Sequence, residues 1–178
     1  MNQGATEMIN KEKTNDSSQK VQVKQIEAET EEIPQQPKIK YQVIGKDIIL
    51  HPKAESVDLS GMRIGKIQGL EEMKALKQIS FRQNLIKVIE GLEACCELEE
   101  LELYDNKISK IENITHLNKL RILDLSFNNI KKIEDINDHP YLERLYLLSN
   151  RIKKIENVPF YPKLQYIDFG ANKISEME

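Results

Sequence analysis

Along residues 101–123, LELYDNKISKIENITHLNKLRIL, the apolar side chains fall at Leu101, Leu103, Ile108, Ile111, Ile114, Leu117 and Leu120. A step of two gives way to steps of three, and no single helix or strand keeps all of these on one side. The pattern resolves when the chain is slid against itself. Asn84, Asn106, Asn128, Asn150 and Asn172 are each 22 residues apart, and every apolar position travels with them. Before the asparagine come Leu76, Leu98, Leu120, Leu142 and Leu164, then Ile79, Leu101, Leu123, Leu145 and Ile167, then Phe81, Leu103, Leu125, Leu147 and Phe169. After it come Ile86, Ile108, Ile130, Ile152 and Ile174, followed by Ile89, Ile111, Ile133 and Ile155. A weaker first copy runs through Ala54, Val57, Leu59, Ile64 and Ile67, with Met62 in the asparagine slot.

This is the leucine-rich-repeat pattern L-x-x-L-x-L-x-x-N-x-L, at a period within its usual range. It predicts an α/β solenoid, a right-handed coil in which each repeat winds once. The period-two part is a short strand with both leucines inward. The period-three part suits a return of extended chain and 3₁₀ or short-helix turns on the convex side. Stacking the coils buries apolar faces that no single coil can bury and lines the strands into a parallel concave sheet. At about 4.8 Å per strand, the expected six strands make a wall roughly 24 Å wide. The asparagine sits at the corner after the strand, where its amide can donate and accept at once for its own coil and the next.

The strand positions between the leucines face solvent. Coil by coil they are Ser56, Asp58 and Ser60; Gln78, Ser80 and Arg82; Glu100, Glu102 and Tyr104; Ile122, Asp124 and Ser126; Arg144, Tyr146 and Leu148; Tyr166, Asp168 and Gly170. Ile122, Tyr146 and Leu148 put apolar surface on a wall that is otherwise polar, which marks a protein-binding centre. Asp124, Tyr146 and Asp168 share one slot on successive strands and form a row about 10 Å long. Asp58, Glu100, Glu102, Asp124 and Asp168 face only Arg82 and Arg144, so a basic or mixed protein surface is favoured and phosphate backbones are not. Outside the wall, Lys66, Lys110, Lys132 and Lys154 recur four places after the asparagine slot, and Glu90, Glu112, Glu134 and Glu156 recur six places after it. These ladders read as a solvated charged rim.

Composition divides the chain. Residues 1–40 are rich in Lys, Glu, Gln, Asn, Ser and Thr without an aromatic residue, and read as a disordered polar tail. Residues 41–55 read as an N-terminal cap or lead-in, and residues 56–178 as an array of about six repeats. With 39% apolar and 31% charged residues and a net charge of -3, the chain reads as soluble, not as a nucleic-acid binder. No apolar run reaches the roughly 18 residues that span a bilayer, and the first residues lack the apolar core of a secretory signal. Cys95 and Cys96 are adjacent, so a disulfide framework is not expected and a reducing compartment is.

Chemistry for catalysis is sparse. His51, His116 and His139 do not fall at metal-ligand spacing with one another or with the cysteines. His139 takes an inward slot otherwise held by Met73, Cys95, Leu117 and Tyr161, and reads as packing. There is no P-loop, no G-x-S-x-G and no H-E-x-x-H. No catalytic residue, metal or cofactor is expected, and the chain reads as a non-enzyme.

The stretches RIGKI, FRQNLIKVIEGL, LYDNKISKIENI and LDLSFNNIKKIE, with the opening copy VDLSGMRIGKI, resemble the leucine-rich-repeat regulatory subunit of protein phosphatase 1, the regulatory subunit 7 family. The resemblance covers about residues 57–178. It implies that the concave face binds the phosphatase catalytic subunit through acidic and aromatic side chains at the central strand position, here Asp124, Tyr146 and Asp168. The family has phenylalanine where Tyr146 stands and glutamate where Asp168 stands, which keeps the chemistry and shifts its reach. Around that row, Glu102, Ile122, Arg144, Leu148 and Tyr166 complete the expected face. The resemblance further implies a location in nucleus and cytoplasm, and by itself the chain is expected to be monomeric. Family arrays continue where this one stops in mid-coil, so the chain reads as truncated, with Ile167 and Phe169 exposed and phosphatase binding weakened. A second class stays open on the residues, a scaffold of the same repeat type in another intracellular complex, axonemal or spliceosomal.

Overall fold

Three-residue strands recur wherever an apolar residue is flanked by two polar-slot residues. In the computed structural model, which describes residues 40–134, 136, 139–156, 158 and 160–177, these are β1 (Ser56–Asp58), β2 (Gln78–Ser80), β3 (Glu100–Glu102), β4 (Ile122–Asp124), β5 (Arg144–Tyr146) and β7 (Tyr166–Asp168). They pair in parallel in that order as one six-stranded sheet. Each residue pairs with the one 22 places on, as in Ile79 with Leu101 and Leu101 with Leu123. The register is therefore the repeat itself. Two shorter strands, β6 (Lys154–Ile155) and β8 (Glu176–Met177), form a second parallel pair. The polar tail expected over residues 1–40 lies, Lys40 excepted, outside the described residues.

Every apolar slot of the second and third full copies is closed to solvent. Leu98, Leu101, Leu103, Ile108, Ile111, Ile114 and Leu117 are all 0% exposed. Each such side chain contributes on the order of 1.5–3 kcal/mol by leaving water, and the gain arises only when coils stack. Burial falls in the last coil, where Leu164, Ile167, Phe169 and Ile174 are half-buried. Ile167 and Phe169 are thus less exposed than their place in the final coil suggests, because the preceding coil covers one side of them.

The return path contains turns and no helix among the described residues, unlike the 3₁₀ or short-helix lining expected from the period of three. Its hydrogen bonds explain that period. Cys95 N–H donates to Leu92 C=O and Leu98 N–H to Cys95 C=O, at 2.9 and 3.1 Å. The same pairs recur at Leu70, Met73 and Leu76 and at Ile114, Leu117 and Leu120. These are single turns laid end to end. Each places its apolar residue inward every third position, and none supplies the overlapping bonds of a continuous 3₁₀ helix.

Two slots need the left-handed backbone. The residue before each asparagine slot has positive φ in every coil: Gly61, Gln83, Asp105, Phe127, Ser149 and Ala171, with φ from 51° to 69°. Its N–H donates to the next coil, as Gln83 does to Tyr104 C=O at 2.9 Å and Phe127 to Leu148 C=O at 2.8 Å. The second slot holds Gly69, Gly91 and Asn113, with φ of 72°, 69° and 59°. At Gly91 a Cβ would come within 2.5 Å of Ile67 C=O.

The lead-in covers the first coil. Ile44 is buried at its end, Gln42 bridges to Ile64, and Gly45 N–H donates to Ile48 C=O at 2.7 Å. His139 is buried in the apolar column, with Nδ1 3.2 Å from Leu117 C=O. In the same column, burial pushes the Cys95 thiol up to about 11, whereas Cys96 is exposed.

Candidate functional site: the open face of the sheet

The asparagines fix where the strand ends, and so where the open face lies. Asn128 Oδ1 accepts from Ile108 N–H at 2.9 Å, and its Nδ2 donates to Leu103 C=O of the preceding coil at 2.9 Å and to Leu125 C=O of its own coil at 3.1 Å. Asn84, Asn106, Asn150 and Asn172 repeat this set, accepting from Ile64, Ile86, Ile130 and Ile152 at 2.8 to 3.0 Å. One amide satisfies buried backbone groups that the sheet ladder leaves behind as the chain turns away.

With Leu123, Leu145 and Ile167 pointing inward, the alternate positions point to the opposite side. Asp124 pairs in register with Tyr146, and Tyr146 with Asp168, so the three stand side by side on β4, β5 and β7. Ile122, Arg144 and Tyr166 make the parallel row two residues earlier. Glu102 continues the first row on β3 and faces Arg82 at 3.7 Å. Leu148 lies just beyond β5, half-buried, in the slot before Gly170; a Cβ at that glycine would sit 2.9 Å from Leu148 Cδ1.

Each aspartate of the face holds a turn through one oxygen. Asp124 Oδ1 accepts from Ser126 N–H at 2.9 Å, and Asp168 Oδ1 from Gly170 N–H at 2.8 Å. Asp58 does the same for Ser60 N–H at 2.9 Å, and Ser60 hydrogen bonding holds its carboxyl below the ordinary range. One oxygen thus closes the turn after the strand, and the other oxygen of Asp168 accepts from the Tyr166 hydroxyl at 3.5 Å. Tyr146 packs on Tyr166 with centroids 5.2 Å apart, a tilted aromatic pair. The charge of Asp168 beside it raises the Tyr166 phenol above its ordinary value.

A second aromatic group lies at the strand ends. The Arg82 guanidinium stands 4.4 Å over the Tyr104 ring, whose centroid is 4.9 Å from that of Phe127. Phe127 is 41% exposed. Its left-handed backbone turns it outward, and no periodicity of apolar residues signals that. At the other end of the strands, Arg121 holds Glu143 with two bonds of 3.0 Å and reaches Glu99 at 3.4 Å. Lys119 pairs with Glu97 and Lys77 with Glu55, again one coil apart. Of the rim ladder, Lys66 pairs with Glu90 across coils, and Lys154 with Glu156 within one. Among the described residues no group of three or more His, Cys, Asp or Glu side chains is gathered as a metal site would need.

A parallel sheet of one strand per 22-residue coil, closed by an asparagine ladder, is the leucine-rich-repeat architecture. The family model for leucine-rich repeats in two copies matches residues 96–141. An internalin of Listeria monocytogenes shares the fold, with a TM-score of 0.63 at 23% identity over 67% of this chain and 36% of that one. In sequence the chain is similar to protein phosphatase 1 regulatory subunit 7. It is 57% identical to the Xenopus tropicalis protein and 55% to the Homo sapiens protein, over 42 residues in each. Those residues are 24% of this chain and 12% of either relative, so the match spans a small part of the relatives' length.

Proposed function

We propose that the open face of the sheet binds the catalytic subunit of protein phosphatase 1, and that the chain acts as a non-catalytic regulatory subunit in nucleus and cytoplasm. The row Asp124, Tyr146 and Asp168 carries the reading. It offers a half-buried aromatic ring between two carboxylates. Such a row accepts lysine or arginine on either side of an apolar contact, the composition of an interface centre. Ile122 and Leu148 extend the apolar area, Tyr166 backs Tyr146, and Arg144 and Glu102 give the rim charges of both signs. The short match to phosphatase regulatory subunits supports this choice of partner.

The test is co-purification of the free phosphatase catalytic subunit with the full chain and with Asp124→Asn/Tyr146→Ala. Asparagine keeps the acceptor for Ser126 N–H, so the strand turn survives while the charge is lost. Binding should weaken by at least about 2 kcal/mol, roughly thirtyfold, as for loss of a central aromatic anchor. Unchanged affinity in a variant that still melts like the parent would refute this use of the face. A pull-down returning a different dominant partner would favour the axonemal or spliceosomal scaffold.

A further inference from the structure

Away from the open face, the return path of the last three coils forms a cleft of about 480 Å³ lined by Lys131, Lys132, Arg151, Lys153, Lys154 and Lys173, with Glu156 as the one acid. Among the described residues, six cations and one anion line this cleft, on a chain whose net charge is -3. The cations are set by the repeat: Lys131 and Lys153, Lys132 and Lys154, and Arg151 and Lys173 are each 22 residues apart. Backbone bonds hold those slots in line. Arg151 N–H donates to Ile130 C=O, Lys173 N–H to Ile152 C=O and Ser175 N–H to Lys153 C=O, at 2.8 to 3.0 Å, and β6 pairs with β8 beside them.

Several basic side chains elsewhere are matched. Lys77, Lys119 and Arg121 each meet a glutamate one coil away. Here, among the described residues, Lys154 meets Glu156, while Lys131, Lys132, Arg151, Lys153 and Lys173 form no ion pair. The five cations that form no ion pair among the described residues repel one another, and an anion entering the cleft relieves that repulsion.

We propose that this cleft docks an acidic segment of a protein partner, a short run of aspartate and glutamate side chains. One small anion would neutralise too little of the charge. The cleft lies across three coils, about 10 Å from first to last, which suits several carboxylates on an extended peptide. A nucleic-acid strand fits less well. No lining residue is aromatic, so bases have nothing to stack on, and the acids of the sheet face repel a longer polyanion.

The test is fluorescence anisotropy of a labelled Glu/Asp peptide titrated with the full chain. Binding is expected, weakening as salt rises through about 0.15 M. Lys131→Glu/Lys153→Glu/Lys173→Glu should lower affinity by at least about tenfold. The same reversal of charge at exposed Lys46, Lys53 and Lys74 should leave it within about twofold. The neutral set Lys131→Gln/Lys153→Gln/Lys173→Gln should weaken binding in the same direction, and it decides the matter if the glutamate set fails to fold. No binding, an equal loss in the remote set, or equally tight binding of an oligothymidine would overturn the proposal. Because the sheet face is untouched by these changes, capture of the phosphatase reports separately on the function proposed above.

Discussion

At the scale of the residue, the asparagine does work that no other side chain in the coil repeats. A buried amide that accepts one backbone N–H and donates to carbonyls of two coils ties the turn of one repeat to the strand end of the next. In Asn128→Ala the Ile108 N–H is left unpaired, at about 1–3 kcal/mol, while the Leu103 and Leu125 carbonyls lose one donor and keep the amides of Asn106 and Asn150. We expect a total loss of about 2–4 kcal/mol in urea unfolding. Asn172→Ala should cost about 1–2 kcal/mol, because its surroundings are half-buried and water can replace part of what is lost. Equal losses at the two positions would contradict a role set by burial. These asparagines were legible in the sequence because their spacing never slips. The left-handed residues beside them were not. Gln83, Asp105, Phe127, Ser149 and Ala171 have no chemistry in common, and each accepts the strained backbone because its neighbours impose it.

The element that the sequence misled on is the return path. A period of three fits a 3₁₀ helix and a string of separate turns equally well, since both put every third residue inward. The turn at the second left-handed slot decides how closely coils approach. Gly91→Ala would force a Cβ against Ile67 C=O at positive φ, and should cost more than about 1 kcal/mol. Gly91→Asn should cost less. Asn113 holds the same slot one coil later, and its Nδ2 donates to Ile89 C=O, the carbonyl equivalent to that of Ile67, at 2.8 Å. Thermal melts of the two variants check the order, and a reversed order would mean that space rather than backbone conformation governs this slot. On the strands, the periodicity placed Asp124, Tyr146 and Asp168 in one slot, as the register has them, but the turn bonds of the aspartates and the tilted contact of Tyr104 with Phe127 lie beyond any pattern of apolar residues.

For the described repeat array as a whole, one coil length produces two surfaces of opposite character. The strand positions collect Asp58, Glu100, Glu102, Asp124 and Asp168 with aromatic rings, while the return path of the last coils collects lysine and arginine. Both depend on constant register: a slip of one residue in any repeat would turn its leucines outward and break the rows. The most direct measurement is therefore a set of spin-label distances between strand positions of the same slot, with Cys95→Ala and Cys96→Ser removing the native thiols. Labels at Ser56 and Arg144 are four strands apart and labels at Ser56 and Tyr166 five, so backbone separations of about 19 and 24 Å are expected, a rise of about 4.8 Å per coil. Separations that do not grow with the number of intervening coils would contradict the shared register on which both surfaces rest.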